Sequence, residues 1–256
     1  MVVTFTGGMG AQIISAAIYF SLKAEGREVY ADLSYFDQAE RIATVGKAGD
    51  VSHWSWQLDA FGLTLDSFER AAPYNKRDVE LIEDGPQKMM LGLKALRQLE
   101  VQKRFAIAGN VTSVLPDTFS SSYLCIHVRR GDYVNVASHL VSNQEFFELA
   151  GKFVGLVKFL VVVSDSPIED EFRQTIATGY EQAVFLDNID AITSHCIMRN
   201  ARILVCSNSQ FSLIAALLSA RALVVLPKQW FGEKDRAIEA PIHEACGFQL
   251  LDPMRG

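Results

Sequence analysis

Short, continuously apolar runs recur along this chain with helical stretches between them. Residues 2–6 form the first run. Residues 11–24 then place Ile13, Ala17, Phe20 and Ala24 at helical spacing, and Gly26 closes the pattern. Residues 28–33 read as a second strand. Further on, runs at 123–128, 159–163, 183–186, 203–206 and 222–226 alternate with helical stretches at 143–154, 168–177, 190–200 and 209–220. Strands that are apolar on both faces, alternating with helices, predict an α/β fold whose parallel sheet is covered on both sides. Right-handed crossovers bring the strand ends, and any ligand, to one edge of such a sheet.

The stretch 35–118 is weaker in pattern. It has turn signals at 73–77 and 84–86 and one helical stretch at 88–99. It reads as the least regular part of the chain. The pattern becomes regular just beyond Pro116, which divides the chain into 1–117 and 118–256, with the return of a tail from Glu239 to the first half left open. No internal repeat or low-complexity tract is present.

Composition narrows the chemistry. With 24 basic and 30 acidic side chains the net charge is -6, so a nucleic-acid partner is not expected. Any phosphate must be held by a few placed groups. Four cysteines without a CxxC pair, two of them (Cys125 and Cys206) inside strand-like runs, fit buried thiols in a reducing compartment. No run reaches the roughly 18–20 apolar residues of a membrane span. The first eight residues lack the basic region of a signal peptide, so a cytoplasmic location is expected, with docking at the inner face of a membrane left open.

Four segments carry candidate chemistry. Cys125-Ile126-His127-Val128-Arg129-Arg130-Gly131-Asp132-Tyr133 starts as a strand and ends in two arginines, whose guanidinium forks match phosphate oxygens. A salt-bridge cluster with Asp132 is the plainer reading of that segment alone. Gly7-Gly8-Met9-Gly10-Ala11-Gln12 lies between a strand and a helix, where glycines admit close ligand approach. With Asp32 it imitates a dinucleotide site, but Gln12 and Ile13 stand where the last glycine of G-x-G-x-x-G is needed. Ser164 and Asp165 emerge from a third strand, and Asp165 also suits a helix cap. Ser207-Asn208-Ser209-Gln210-Phe211-Ser212 leads from a strand into an apolar helix whose first amides suit a pyrophosphate. Simple capping by Ser207 or Ser209 serves as well. The five histidines are scattered, and neither HExxH nor an Asp-x-Asp pair occurs, so no metal site is expected.

In this order the four segments resemble the α-1,2-fucosyltransferases of glycosyltransferase family 11. The family's Gly-x-x-Gly-Asn-Gln loop is echoed at Gly7 to Gln12. Its His-x-Arg-Arg-Gly-Asp-Tyr signature is met in full by His127, Arg129, Arg130, Gly131, Asp132 and Tyr133. A Ser-Asp strand end looks like Ser164-Asp165, and an Asn-Ser-x-Phe-Ser segment is similar to Asn208, Ser209, Phe211 and Ser212. Ala11 departs from the usual asparagine, Leu213-Ile214 from a tryptophan pair, and Ala201 and Ile203 from Cys and His.

The resemblance implies two Rossmann-like domains facing across a cleft (the GT-B arrangement), with 1–117 on the acceptor side and 118–256 holding GDP-fucose. It implies metal-independent, inverting transfer of L-fucose to O-2 of a galactoside carried by an oligosaccharide or glycolipid. Arg129 and Arg130 are then expected at the departing β-phosphate and Asp132 at the acceptor hydroxyl. Donor contacts are expected from Gly8, Gly10, Gln12, His127, Tyr133, Ser164, Asp165, Asn208, Ser209, Phe211 and Ser212. The competing expectations are a non-catalytic sugar-nucleotide binder and an NAD(P)-dependent oxidoreductase using Gly7, Gly8, Gly10 and Asp32.

Overall fold

Two parallel sheets organise the chain in its computed structural model, which describes residues 1–37, 55–68, 80–83, 85–107, 114–119, 122–135, 140–187, 189–220 and 222–227. The side chains of Asp132 and Asn135, and the tail from Glu239, lie outside the described residues.

The first sheet has three strands in the order β2-β1-β3: β1 (Val2–Thr4), β2 (Tyr30–Asp32) and β3 (Leu81–Ile82). Helix α1 (Met9–Ala24) returns the chain from β1 to β2. Its buried Ile13, Ile14, Ala17 and Ile18 join Val3, Phe5, Ala31 and Leu93 in one core. The third strand was not legible as a run. It is two residues long and is defined by its parallel pairing with β1.

The helix expected at 88–99 is also two helices. Pro86 opens α2 (Pro86–Leu96), and a break at Arg97 and Gln98 separates it from α3 (Leu99–Lys103). A proline at the first helical position lacks an N–H where none would be bonded, which sets the earlier start.

The second sheet has five strands in the order β6-β5-β4-β7-β8: β4 (Tyr123–Val128), β5 (Phe159–Ser164), β6 (Gln182–Leu186), β7 (Ile203–Val205) and β8 (Leu223–Val225). Side chains alternate across a strand, and here they sort cleanly. Leu124, Ile126 and Val128 face α4 (Asn143–Phe153) and α5 (Asp170–Ile176) through Phe146, Ala150, Phe172 and Ile176. Tyr123 and Cys125 face α6 (Ala191–Asn200) and α7 (Gln210–Leu217) through Ile197, Met198, Ala215 and Ala216. Both faces are covered, so every residue of β4 is buried, as its continuous apolar run anticipates.

Helix starts are fixed locally. Ser142 and Glu145 form a reciprocal capping box at α4, and Asp190 accepts from the Thr193 amide at α6. Helix α7 is apolar nearly all round, because it is buried on two sides. Ala215 and Ala216 pack on the second sheet, while Leu213, Ile214 and Leu217 pack in the core of the first. The two halves are joined through this helix. The Arg199 side chain adds a 2.8 Å hydrogen bond to the Phe105 carbonyl. Among the described residues no helix is long and apolar enough to cross a membrane.

Candidate active site

In the second sheet the strand order reverses between β4 and β7, and ligands of open parallel sheets bind beyond the strand ends at such a point. The residues that follow β4 and β7 are the arginine segment and the serine-rich turn. They meet directly. The Ser207 hydroxyl and His127 Nδ1 form a buried 2.7 Å hydrogen bond across the seam. Burial first, and the Arg129 cation second, push His127 down to about 3, so its ring is neutral.

Beyond Val128 the alternation of the strand continues, and it separates the two arginines. Arg129 follows the His127 face. Its Nη1 lies 2.6 Å from Asp165 Oδ2, its guanidinium carbon 5.2 Å from the centre of the Tyr133 ring, and its side chain is only 11% exposed. Arg130 follows the opposite face, toward α4. It donates from Nη1 to the Val141 carbonyl at 2.8 Å and from Nη2 to Asn143 Oδ1 at 2.6 Å, and it lies over the Phe146 ring. The two arginines, both expected at one diphosphate, are thus placed on opposite faces of the sheet edge. Arg130 holds the start of α4, because adjacent residues of an extended segment point to opposite faces.

Asp165 succeeds Ser164 on β5, which pairs with Val128 on β4, so Asp165 falls beside Arg129 by register. Its Oδ1 accepts from the Arg130 amide at 2.8 Å, and Ser166 Oγ accepts from the Gly131 amide at 3.1 Å. Asp165 and Ser166 thus latch the turn after β4. Gly131 has a φ of 23°, and a Cβ there would stand 2.8 Å from Asp165 Oδ2, so the latch needs glycine. Ser164 is buried and accepts from the Ser166 amide at 3.2 Å. Of the two residues expected at the donor, Asp165 contacts the turn after β4 and Ser164 contacts Ser166 at the end of its own strand. Tyr133 lies partly buried in the short 3-10 turn Gly131–Asn135. The expected base Asp132 belongs to the same turn, but its side chain lies outside the described residues.

On the other side of the seam, Ser209 caps α7 by accepting from the Phe211 amide. Asn208 is buried at 3% exposure. Ser212 is fully buried, and its hydroxyl donates to the carbonyls of Ser207 and Ser209 at 3.3 Å each. That hydroxyl, expected at the donor, makes its hydrogen bonds within the turn.

The glycine loop is organised around Gln12. Gln12 is fully buried. Its Nε2 donates to the carbonyls of Gly7 and Ser55 at 2.8 Å each, and its Oε1 accepts from the Gln57 amide at 2.9 Å. Its amide ties residues 55–57 to the loop, where a donor contact was expected. Gly8 is the cap position of α1, without a side-chain cap. Gly10 packs against α7: a Cβ on it would lie 2.8 Å from the Phe211 nitrogen and 2.9 Å from the Gln210 carbonyl carbon. Its smallness sets the approach of the two halves.

Gly131 and Ser207 lay inside segments marked from sequence but were given no donor contact or catalytic role, and Ser166 and Asn143 were not singled out as parts of the site. Ser166 and Ser207 had a signal, since each directly follows or opens a segment already marked. Asn143 had none, because only the fold brings it to Arg130. Among the described residues no group of three or more His, Cys, Asp or Glu side chains is assembled as a metal site.

Two parallel α/β halves joined through α7 make a fold of the GT-B type. The sequence profile of glycosyl transferase family 11 matches residues 100–242, and the chain belongs to that family. No curated protein matches it in sequence. The chain is similar in structure to POFUT1 in complex with GDP-fucose, with a TM-score of 0.51, 13% identity, and coverage of 87% of this chain and 96% of that one. It is similar also to POFUT1 in its apo form, with a TM-score of 0.52, 14% identity, and coverage of 89% and 97%. NodZ, an alpha-1,6-fucosyltransferase co-crystallised with GDP, gives a TM-score of 0.44 at 13% identity, covering 86% and 92%.

Proposed function

We propose that this protein transfers L-fucose from GDP-fucose to O-2 of a galactoside, with inversion and without a metal. The observation that carries the reading is the meeting of Arg129, oriented by Asp165, with the His127–Ser207 pair and the start of α7 at one sheet edge. Family membership supports a glycosyl donor, and the fold shared with POFUT1, solved with GDP-fucose, supports this particular one.

In the reaction the acceptor hydroxyl oxygen attacks C1 of fucose as the C1–O bond to the β-phosphate breaks. The electron pair leaves with GDP, and the hydroxyl proton passes to a base, the role assigned to Asp132. Negative charge grows on the departing phosphate, so a cation fixed beforehand stabilises the transition state more than the ground state. Arg129 is that cation. A guanidinium has five donors, so one bound carboxylate oxygen does not exhaust it. The first amides of α7 supply further donors toward the diphosphate, and the neutral His127 ring takes part in holding the nucleotide. Residues 1–117 carry the acceptor, an oligosaccharide or glycolipid.

The test is GDP release from GDP-fucose against a panel of galactosides, with NMR of the product. An α-1,2-linked fucoside supports the reading. Binding of GDP-fucose with no transfer to any galactoside would refute it.

A further inference from the structure

Among the described residues, His195 is left with both ring nitrogens buried and without a hydrogen-bond partner. It sits in the middle of α6 with no solvent exposure. An unpartnered buried polar group is destabilising, and such groups in folded proteins call for an explanation. An apolar ring at this place would avoid that cost, so stability does not account for the imidazole.

The neighbourhood offers an account. The His195 ring is 5.4 Å from the ring of Phe211, and the same phenyl ring is 5.6 Å from His127. Phe211 is therefore shared between the histidine of the sheet edge and the orphaned one. It stands in the first turn of α7, at the proposed donor site, and is itself only partly buried. Its ring packs against that of His195 at an interplanar angle of 57°. Burial, then Arg199 one turn along α6, then His127 push His195 down to about 3, so a neutral imidazole with one donor and one acceptor nitrogen lies behind the phenyl ring.

We infer that His195 is a further donor-site residue, covered by Phe211 in the free protein, that hydrogen-bonds the nucleoside part of the donor when the phenyl ring turns aside. A neutral imidazole matches hydroxyls or the edge of a base. It compensates no charge, so the diphosphate is not its partner. This inference rests on the GDP-fucose reading above.

The experiment compares wild type with His195→Phe and His195→Leu by calorimetric titration with GDP and with pyrophosphate, and by thermal unfolding without ligand. Removing the unpartnered nitrogens is expected to leave the unfolding midpoint of at least one variant equal to or above that of wild type. In that variant GDP affinity is expected to fall roughly tenfold while pyrophosphate affinity stays within about twofold. Unchanged GDP affinity would overturn the inference and leave the donor reading intact. An equal loss for GDP and pyrophosphate would also overturn it, since that marks a general disturbance of α7. Wild-type protein that binds neither ligand would refute the donor reading itself.

Discussion

The Oγ of Ser207 and the Nδ1 of His127 lie 2.7 Å apart, joining the ends of β7 and β4 where the strand order of the second sheet reverses. Both residues are at most 3% exposed, so neither has water as an alternative partner. Ser207→Ala leaves a buried ring nitrogen unpaired and is expected to cost about 1–3 kcal/mol of stability. Urea unfolding of the variant beside wild type measures it, and donor affinity should fall in parallel because the seam is the proposed nucleotide site.

Gly10 sets how closely the two halves approach. A methyl group there meets backbone atoms of Gln210 and Phe211, which cannot swing aside as a side chain would. Gly10→Ala is expected to destabilise by about 1–3 kcal/mol despite the better helix propensity of alanine. Gly151, in α4, has nothing within 4 Å of the same methyl position. Gly151→Ala should leave stability unchanged or raise it by up to about 1 kcal/mol. Denaturant titration of the two variants separates packing from propensity.

Asp165 acts through Arg129 and the turn after β4. Asp165→Asn keeps the size of the side chain but removes the charge facing the guanidinium. Turnover is expected to fall by about tenfold or more, with the fold retained, because Arg129 loses its orienting partner. Steady-state rates with circular dichroism of the same preparations check this.

Acid should unfold the protein through its buried histidines. His127 and His195 are both pushed down to about 3, from 6.5, chiefly by burial. A group whose folded pKa is depressed binds its proton more readily in the unfolded chain. Stability is therefore full above the unfolded value and falls as pH drops from about 6.5 toward 3. Arg129 faces His127 and Arg199 faces His195, and both remain cationic throughout, so they reinforce the direction. In the window from about pH 6 to 4.5, above most carboxylate titrations, the slope of stability with pH should approach two protons and be smaller by one in His195→Phe.

The strands of the second sheet were legible because burial on both faces writes a continuous apolar run, and Tyr123–Val128 matches its run to the residue. Leu81–Ile82 was not legible, since a two-residue strand exists only through its pairing with β1. For the candidate site the sequence marked side-chain types but not the direction in which they point. The sequence pattern marked His127, Arg129, Asp165 and the serine-rich turn, and the fold brings these to one edge. It also marked Gln12, Ser212 and Arg130, whose polar groups turn inward to the loops at Ser55, Ser207 and Val141. A motif states which group is present, while register and packing decide what it meets. For the arginines the sign was available in principle, because neighbours on an extended strand cannot share a face.

That division of the arginines leads to the most direct measurement, turnover at saturating GDP-fucose for Arg129→Ala and Arg130→Ala, each shown to be folded. Removing a preorganised donor from a developing oxyanion costs on the order of 3 kcal/mol, so Arg129→Ala should lose roughly a hundredfold or more in rate. Arg130→Ala, which loosens the start of α4, should lose stability and much less turnover. Arg129→Ala working within about twofold of wild type, or Arg130→Ala proving the more damaging to turnover, would contradict the account.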